Sequence, residues 1–202
     1  MGFKKVIKRI VTFLFHPWIS SILILRGVKE FNIAPQISIN TMRNFKIGNN
    51  VSVGRNCRFL FIENYYGGKY NPSIVIGNNV FITNYCSFLS AAPIDIGDNC
   101  LIASNVLITS ENHGINPELS DSYSNIPLQA KAVNIGKGCW IGEKVSILPG
   151  VTLGERCIVA ANAVVTKSFP SYSMIGGVPA RLLMKYDFES HKWIKPTEVI
   201  NK

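Results

Sequence analysis

The 202-residue chain is 47% hydrophobic and only 16% charged, with a formal net charge of +9. That balance supports one domain with a sizeable core and excludes a disordered chain. Much of the positive excess is local, since residues 1–30 hold Lys4, Lys5, Lys8, Arg9, Arg26 and Lys29 against Glu30. A whole-surface field for nucleic acid is therefore disfavoured.

Residues 1–44 read as a basic, amphipathic segment. Phe3, Ile7, Ile10 and Leu14 share a helical face, with Lys4, Lys5, Lys8 and Arg9 opposite. This pattern suits a helix lying on a membrane surface or one packing its apolar face on the domain. The uncharged stretch from 10 to 25 would reach roughly 24 Å as a helix, short of the ~30 Å hydrocarbon core, and His16-Pro17 interrupts it. No small-residue cleavage site follows, so a secretory signal is not expected.

From residue 45 an aliphatic residue returns every six positions. The units begin at Ile47, Val53, Ile76, Ile82, Ile96, Ile102 and Ile108, then at Ile135, Ile141, Ile147, Leu153, Val159 and Val165. Gly, Asn or Asp commonly follows, as turns require. Three units make an 18-residue coil, and such repeats bury their apolar face only by stacking. The fifth place is small or β-branched and takes all five cysteines: Cys57, Cys86, Cys100, Cys139 and Cys157. None has CxxC spacing, so buried reduced thiols are expected and zinc is not, consistent with a cytoplasmic chain.

The period breaks after "ITSENH". Residues 114–134, polar and proline-containing, read as a surface insertion, with His113 at its base. Imidazole, with an ordinary pKa near 6.5, can take a proton at neutral pH; the alternative is a loop histidine with local hydrogen bonds. If the chain is extended here, Glu111 points the same way as His113 and either orients it or is simply solvated.

The repeat, with "CWIGEKVSILPGV", "AANAVVTKSFP" and "IGGVPARLL", resembles the left-handed parallel β-helix acyltransferases, especially the galactoside/maltose and polysaccharide O-acetyltransferases. The resemblance covers about residues 45–185, leaving 186–202 as a tail. It implies an all-β solenoid with an extended loop and short helical appendages at both ends. It also implies a homotrimer using acetyl-CoA without a metal, His113 as general base, and Asn84 beside a carbohydrate acceptor. Asn84 alternatively reads as an ordinary turn residue, like Asn50, Asn79 and Asn99. Trp140 would wall the acceptor and pantetheine, or else pack between subunits. The cofactor positions are Gly142, Glu143, Ala161, Thr166, Lys167 and Arg181, with the two cations neutralising phosphates. The acceptor would be a glycan or its lipid-linked precursor, which peripheral contact at the inner membrane face would serve. A small-molecule acceptor is the enzyme alternative, and a non-catalytic assembly protein the other. A β-helical zinc hydratase is excluded, since it needs three histidine ligands and the repeats hold one.

Overall fold

The computed structural model describes residue 10 and residues 12–196. Short strands follow one another around three faces, and each pairs in parallel with the strand one coil away. The first face runs Phe31–Ile33, Val51–Val53, Phe81–Ile82, Leu101–Ile102, Trp140–Ile141, Ile158–Val159 and Ser173–Gly177. The second runs Ser38–Ile39, Arg58–Phe61, Ser87–Ser90, Leu107–Thr109, Ser146–Ile147 and Val164–Val165. The third runs Phe45–Ile47, Ser73–Ile76, Pro93–Ile96, Val133–Ile135 and Thr152–Leu153. The expected stacking is observed, with Ile141 on Val159, Ile147 on Val165 and Ile135 on Leu153.

Each place in the six-residue unit has its own physical demand. The first and fifth places point inward and form a continuous core. The fourth place takes the left-handed backbone: Asn50, Asn79, Asn99 and Asn105 have φ of 57°, 56°, 60° and 61°. The second-place glycines answer a different need, close approach between coils. A Cβ on Gly136 would lie 2.6 Å from the carbonyl carbon of Gly154 and 2.7 Å from the Glu155 nitrogen. All five cysteines are buried and free. Each thiol donates to a backbone carbonyl: Cys57 to Thr83 at 3.1 Å, Cys86 to Ala103 at 3.2 Å, and Cys139 to Gly154 at 3.1 Å. The inward thiols thus satisfy carbonyls that would otherwise lie unpaired in the core.

Several expectations need correction. The parallel sheets begin at Phe31, within the segment assigned to the N-terminal appendage. The helix Pro17–Leu25 caps that end of the coil, burying Ile19 and Leu23. Thr12 Oγ1 accepts from Ile33 N at 3.0 Å and donates to Ile33 O at 3.3 Å, so both backbone groups of Ile33 on the first strand's outer edge are satisfied. Of the predicted amphipathic face, Phe3 and Ile7 lie outside the described residues, whereas Ile10 and Leu14 are exposed. At the other end, Ala180–Asp187 and Lys192–Ile194 add antiparallel strands to the first face. The expected tail helix meets the described residues only at Pro196. The insertion leaves the coil after Ser110 and rejoins it at Val133, not at 135.

Gly136→Ala is expected to destabilise the fold by about 1–3 kcal/mol, because backbone of the next coil cannot yield to the new methyl. An unchanged urea midpoint would contradict this account of the second place.

Candidate active site

Two excursions leave the coil, both on the edge between the second and third faces. Residues 62–72 join Arg58–Phe61 to Ser73–Ile76, and residues 110–132 join Leu107–Thr109 to Val133–Ile135. The coil between them turns this corner with only Ala91 and Ala92, whose amides donate to the buried Ser110 hydroxyl at 3.2 and 3.0 Å. The longer excursion is a hairpin, with Glu111–Asn112 antiparallel to Gln129–Ala130 and with Ile126 and Leu128 buried beneath it. Gly114 has no room for a side chain, since a Cβ there would meet Ile126 Cγ2 at 2.1 Å.

His113 projects from this hairpin into solvent. The Tyr65 ring, from the shorter excursion, meets it edge-on with centroids 5.4 Å apart. The Tyr65 hydroxyl donates to Ser124 O at 2.5 Å. Tyr70 holds the same pair of loops together, accepting from Leu128 N at 2.6 Å and donating to Leu128 O at 3.2 Å. Burial pushes the Glu111 carboxyl above its ordinary value, and the nearby His113 charge partly offsets this. No hydrogen bond joins Glu111 to His113 among the described residues, so the Tyr65 ring is the contact that flanks the imidazole. Tyr65 and Tyr70 were not singled out in the sequence. Their only signal there was the break in period between Phe61 and Ile76.

The predicted residues fall on two edges of the second face. Asn84, Glu143 and Ala161 occupy one, at the turn from the first face: Asn105 N donates to Asn84 O at 3.0 Å, Lys144 N to Ser104 O at 3.0 Å, and Asn162 N to Glu143 O at 2.8 Å. Arg181 lies at the end of this edge, opposite Gly176 in the terminal hairpin. Thr166 and Lys167 occupy the other edge, beyond the strand Val164–Val165. This is also the edge from which the His113 hairpin departs, so one chain does not bring Asn84 and His113 together.

Three residues carry structural duties as well. Asn84 Oδ1 accepts from Arg55 N at 2.8 Å, as Asn78 Oδ1 does from Asn49 N at 2.9 Å one corner away. A Cβ on Gly142 would stand 2.6 Å from Val159 O, so stacking alone demands glycine there. The Glu143 carbonyl is already engaged by Asn162. Trp140 lies on neither edge. It stands half exposed on the first face, beside a cavity of about 320 Å³ lined also by Arg156, Ile158, Tyr172, Tyr186 and Trp193. Thr166, Lys167 and Arg181 are exposed, with Lys167 Nζ 5.6 Å from the Phe169 ring centroid. No cluster of metal-ligating side chains occurs among the described residues.

Comparison with known proteins gives this architecture its family. Residues 132–167 match the bacterial transferase hexapeptide (six repeats), and residues 73–110 match the hexapeptide repeat of succinyl-transferase. WbbJ of Escherichia coli, provisionally named a lipopolysaccharide biosynthesis O-acetyl transferase, is 41% identical over 129 residues, 60% of this chain and 65% of WbbJ. The galactoside O-acetyltransferase of the same species is 33% identical over 132 residues, 65% of this chain and 64% of that protein. The matched stretch thus spans just under two thirds of the length of these two relatives. A provisionally named acetyltransferase of Dictyostelium discoideum is 36% identical, over 65% of this chain and 67% of its own. Among solved structures, AntD, an N-acyltransferase from Bacillus cereus in complex with dTDP and 3-hydroxybutyryl-CoA, aligns with a TM-score of 0.64 and 21% identity over 90% of each chain. A maltose O-acetyltransferase from Clostridium difficile aligns with a TM-score of 0.51 and 27% identity, over 92% of this chain and 90% of that one. The chain belongs to the hexapeptide-repeat acyltransferase family.

Proposed function

We propose that the protein transfers an acetyl group from acetyl-CoA to a sugar hydroxyl of a glycan or its lipid-linked precursor, with His113 as general base. The observation that carries this reading is the placement of His113, exposed, flanked by Tyr65, and on the edge that also bears Thr166 and Lys167. The relatives named for O-acetyl transfer, one in lipopolysaccharide biosynthesis and one on galactosides, support the choice of oxygen and of a saccharide. The left-handed sense of the coil belongs to the same reading.

In this mechanism His113 takes the hydroxyl proton as the sugar oxygen attacks the thioester carbonyl. The carbon–sulfur bond then breaks, and the CoA thiolate leaves and collects the proton. The transfer is taken as direct; all five thiols of the chain are buried, so none of them serves as the acyl carrier. The two edges fit the thioester's carrier: Ala161 is small and exposed, and Lys167 and Arg181 offer two cations to its phosphates. A homotrimer would set the Asn84–Ala161–Arg181 edge of one copy against the His113–Lys167 edge of the next. The alternative acceptor is a small molecule: a free sugar, an antibiotic or the amine of a nucleotide sugar. Transfer to an amine is recognised by its product, since amides survive mild alkali and esters do not.

His113→Ala is expected to lower kcat by roughly 10²–10⁴ while leaving acetyl-CoA binding unchanged. Lys167→Ala and Arg181→Ala should raise the KM for acetyl-CoA more than they lower kcat. Near-wild-type turnover by His113→Ala, measured as CoA release, would remove His113 from the mechanism.

The N-terminal segment is proposed to rest on an anionic membrane surface. Phe13, Leu14, Phe15, Trp18 and Leu25 are exposed, the last at 86%, while Ile19 and Leu23 fasten the same segment to the coil. No helix among the described residues is long and apolar enough to cross a membrane. Joint replacement of Phe13, Leu14 and Phe15 by Ser leaves the buried contacts intact. It should abolish co-sedimentation with anionic liposomes, whereas equal binding by both forms would contradict surface docking.

A further inference from the structure

The hairpin of residues 62–72 is unexplained by the coil. Its strands, Asn64–Tyr65 and Gly68–Lys69, are joined by Tyr66 and Gly67, both at positive φ (41° and 78°). Two such residues define the two-residue loop in which Asn-Gly is favoured. Tyr85 and Tyr172 also hold positive φ, both 61°, at corners of the coil, so what sets Tyr66 apart is the company of its ring. Tyr66 spends the position on exposure, with 55% of its surface open. Its ring lies 5.2 Å from that of Tyr65, which in turn lies 5.4 Å from His113. The three rings form a row that ends at the imidazole. Tyr65 and Tyr70 pin the hairpin to the His113 loop through Ser124 and Leu128, so the row is held as one unit.

From this we infer that the hairpin is the acceptor-recognition element, and that the apolar face of a pyranose ring stacks on Tyr66 beside His113. The inference rests on the O-acetyl transfer reading and names how its acceptor is held. A sugar ring presents C–H groups on its faces and hydroxyls around its rim. An exposed aromatic face takes the former, while the phenol edge and solvent serve the latter. Tyr65 acts as a positioning residue, joining the stacking surface to the base. Its placement would leave the hydroxyl nearest the imidazole free to react.

The test uses Tyr66→Asn, which deletes the ring and installs the residue that the turn prefers, so the hairpin keeps its fold. Tyr66→Trp keeps an aromatic face. Saturation-transfer NMR is run on the full chain with the methyl glycosides of glucose, galactose, mannose, rhamnose and N-acetylglucosamine. At least one glycoside should receive saturation on its ring protons from the wild type and from Tyr66→Trp. Tyr66→Asn should bind it about tenfold more weakly, with no change in acetyl-CoA affinity. Absence of transfer to every glycoside, or equal transfer with Tyr66→Asn, would overturn the proposal. The readout needs no turnover, so failure of the O-acetyl reading shows separately as the lack of ester product.

Discussion

Everything in this molecule depends on how closely one coil lies on the next. The spacing of neighbouring strands, about 4.8 Å, repeats along every face and leaves no slack at the corners. That is why a Cβ on Gly136 or Gly142 would collide with backbone, and why the amides of one coil find carbonyls in the next. It also accounts for the thiols, each small enough for the interior and each giving a hydrogen bond to a corner carbonyl. A scaffold so constrained tolerates insertion only where the chain turns outward, and both insertions use the same edge. His113 and its aromatic neighbour Tyr65 lie on that edge, where the backbone is free to leave the coil.

The repeat was legible in the sequence because the inward positions recur with a fixed period and accept few residue types. His113 stood out for the same reason in reverse, as a histidine where the period stops, and the structure places it exposed at the base of the insertion. What escaped was whatever lacks periodicity. The strands Phe31–Ile33 and Ser38–Ile39 carry no second-place glycine, so they read as part of the appendage. The terminal antiparallel strands alternate imperfectly, with Tyr186 and Asp187 both half buried, and gave no strand signal. Tyr65 meets His113 only through folding of two loops that are distant in sequence. The reading of Gly142 needed a change of cause: its lack of side chain answers coil stacking before any cofactor. Trp140 precedes Gly142 by two residues, yet it belongs to the strand Trp140–Ile141 on the first face, short of the corner that Gly142 begins.

Asn84, Ala161 and Arg181 line one edge of the second face, and His113 and Lys167 line the other. The rigidity that fixes each edge also keeps them apart within a single chain, so the proposed function requires a site shared between two copies. Tyr65, from the hairpin at 62–72, meets His113 edge-on, so the proposed acceptor recognition would fall on the edge carrying His113.

Mixing two inactive forms tests this arrangement most directly. One form carries His113→Ala, which removes the base from one edge. The other carries Ala161→Trp, which fills the opposite edge at an exposed position without touching the core. Each alone should be inactive. After joint unfolding and refolding at equal amounts, a cyclic oligomer should regain CoA release at about a quarter of its sites, those with an intact edge from each form. No recovery in demonstrably mixed oligomers would contradict a site shared between copies.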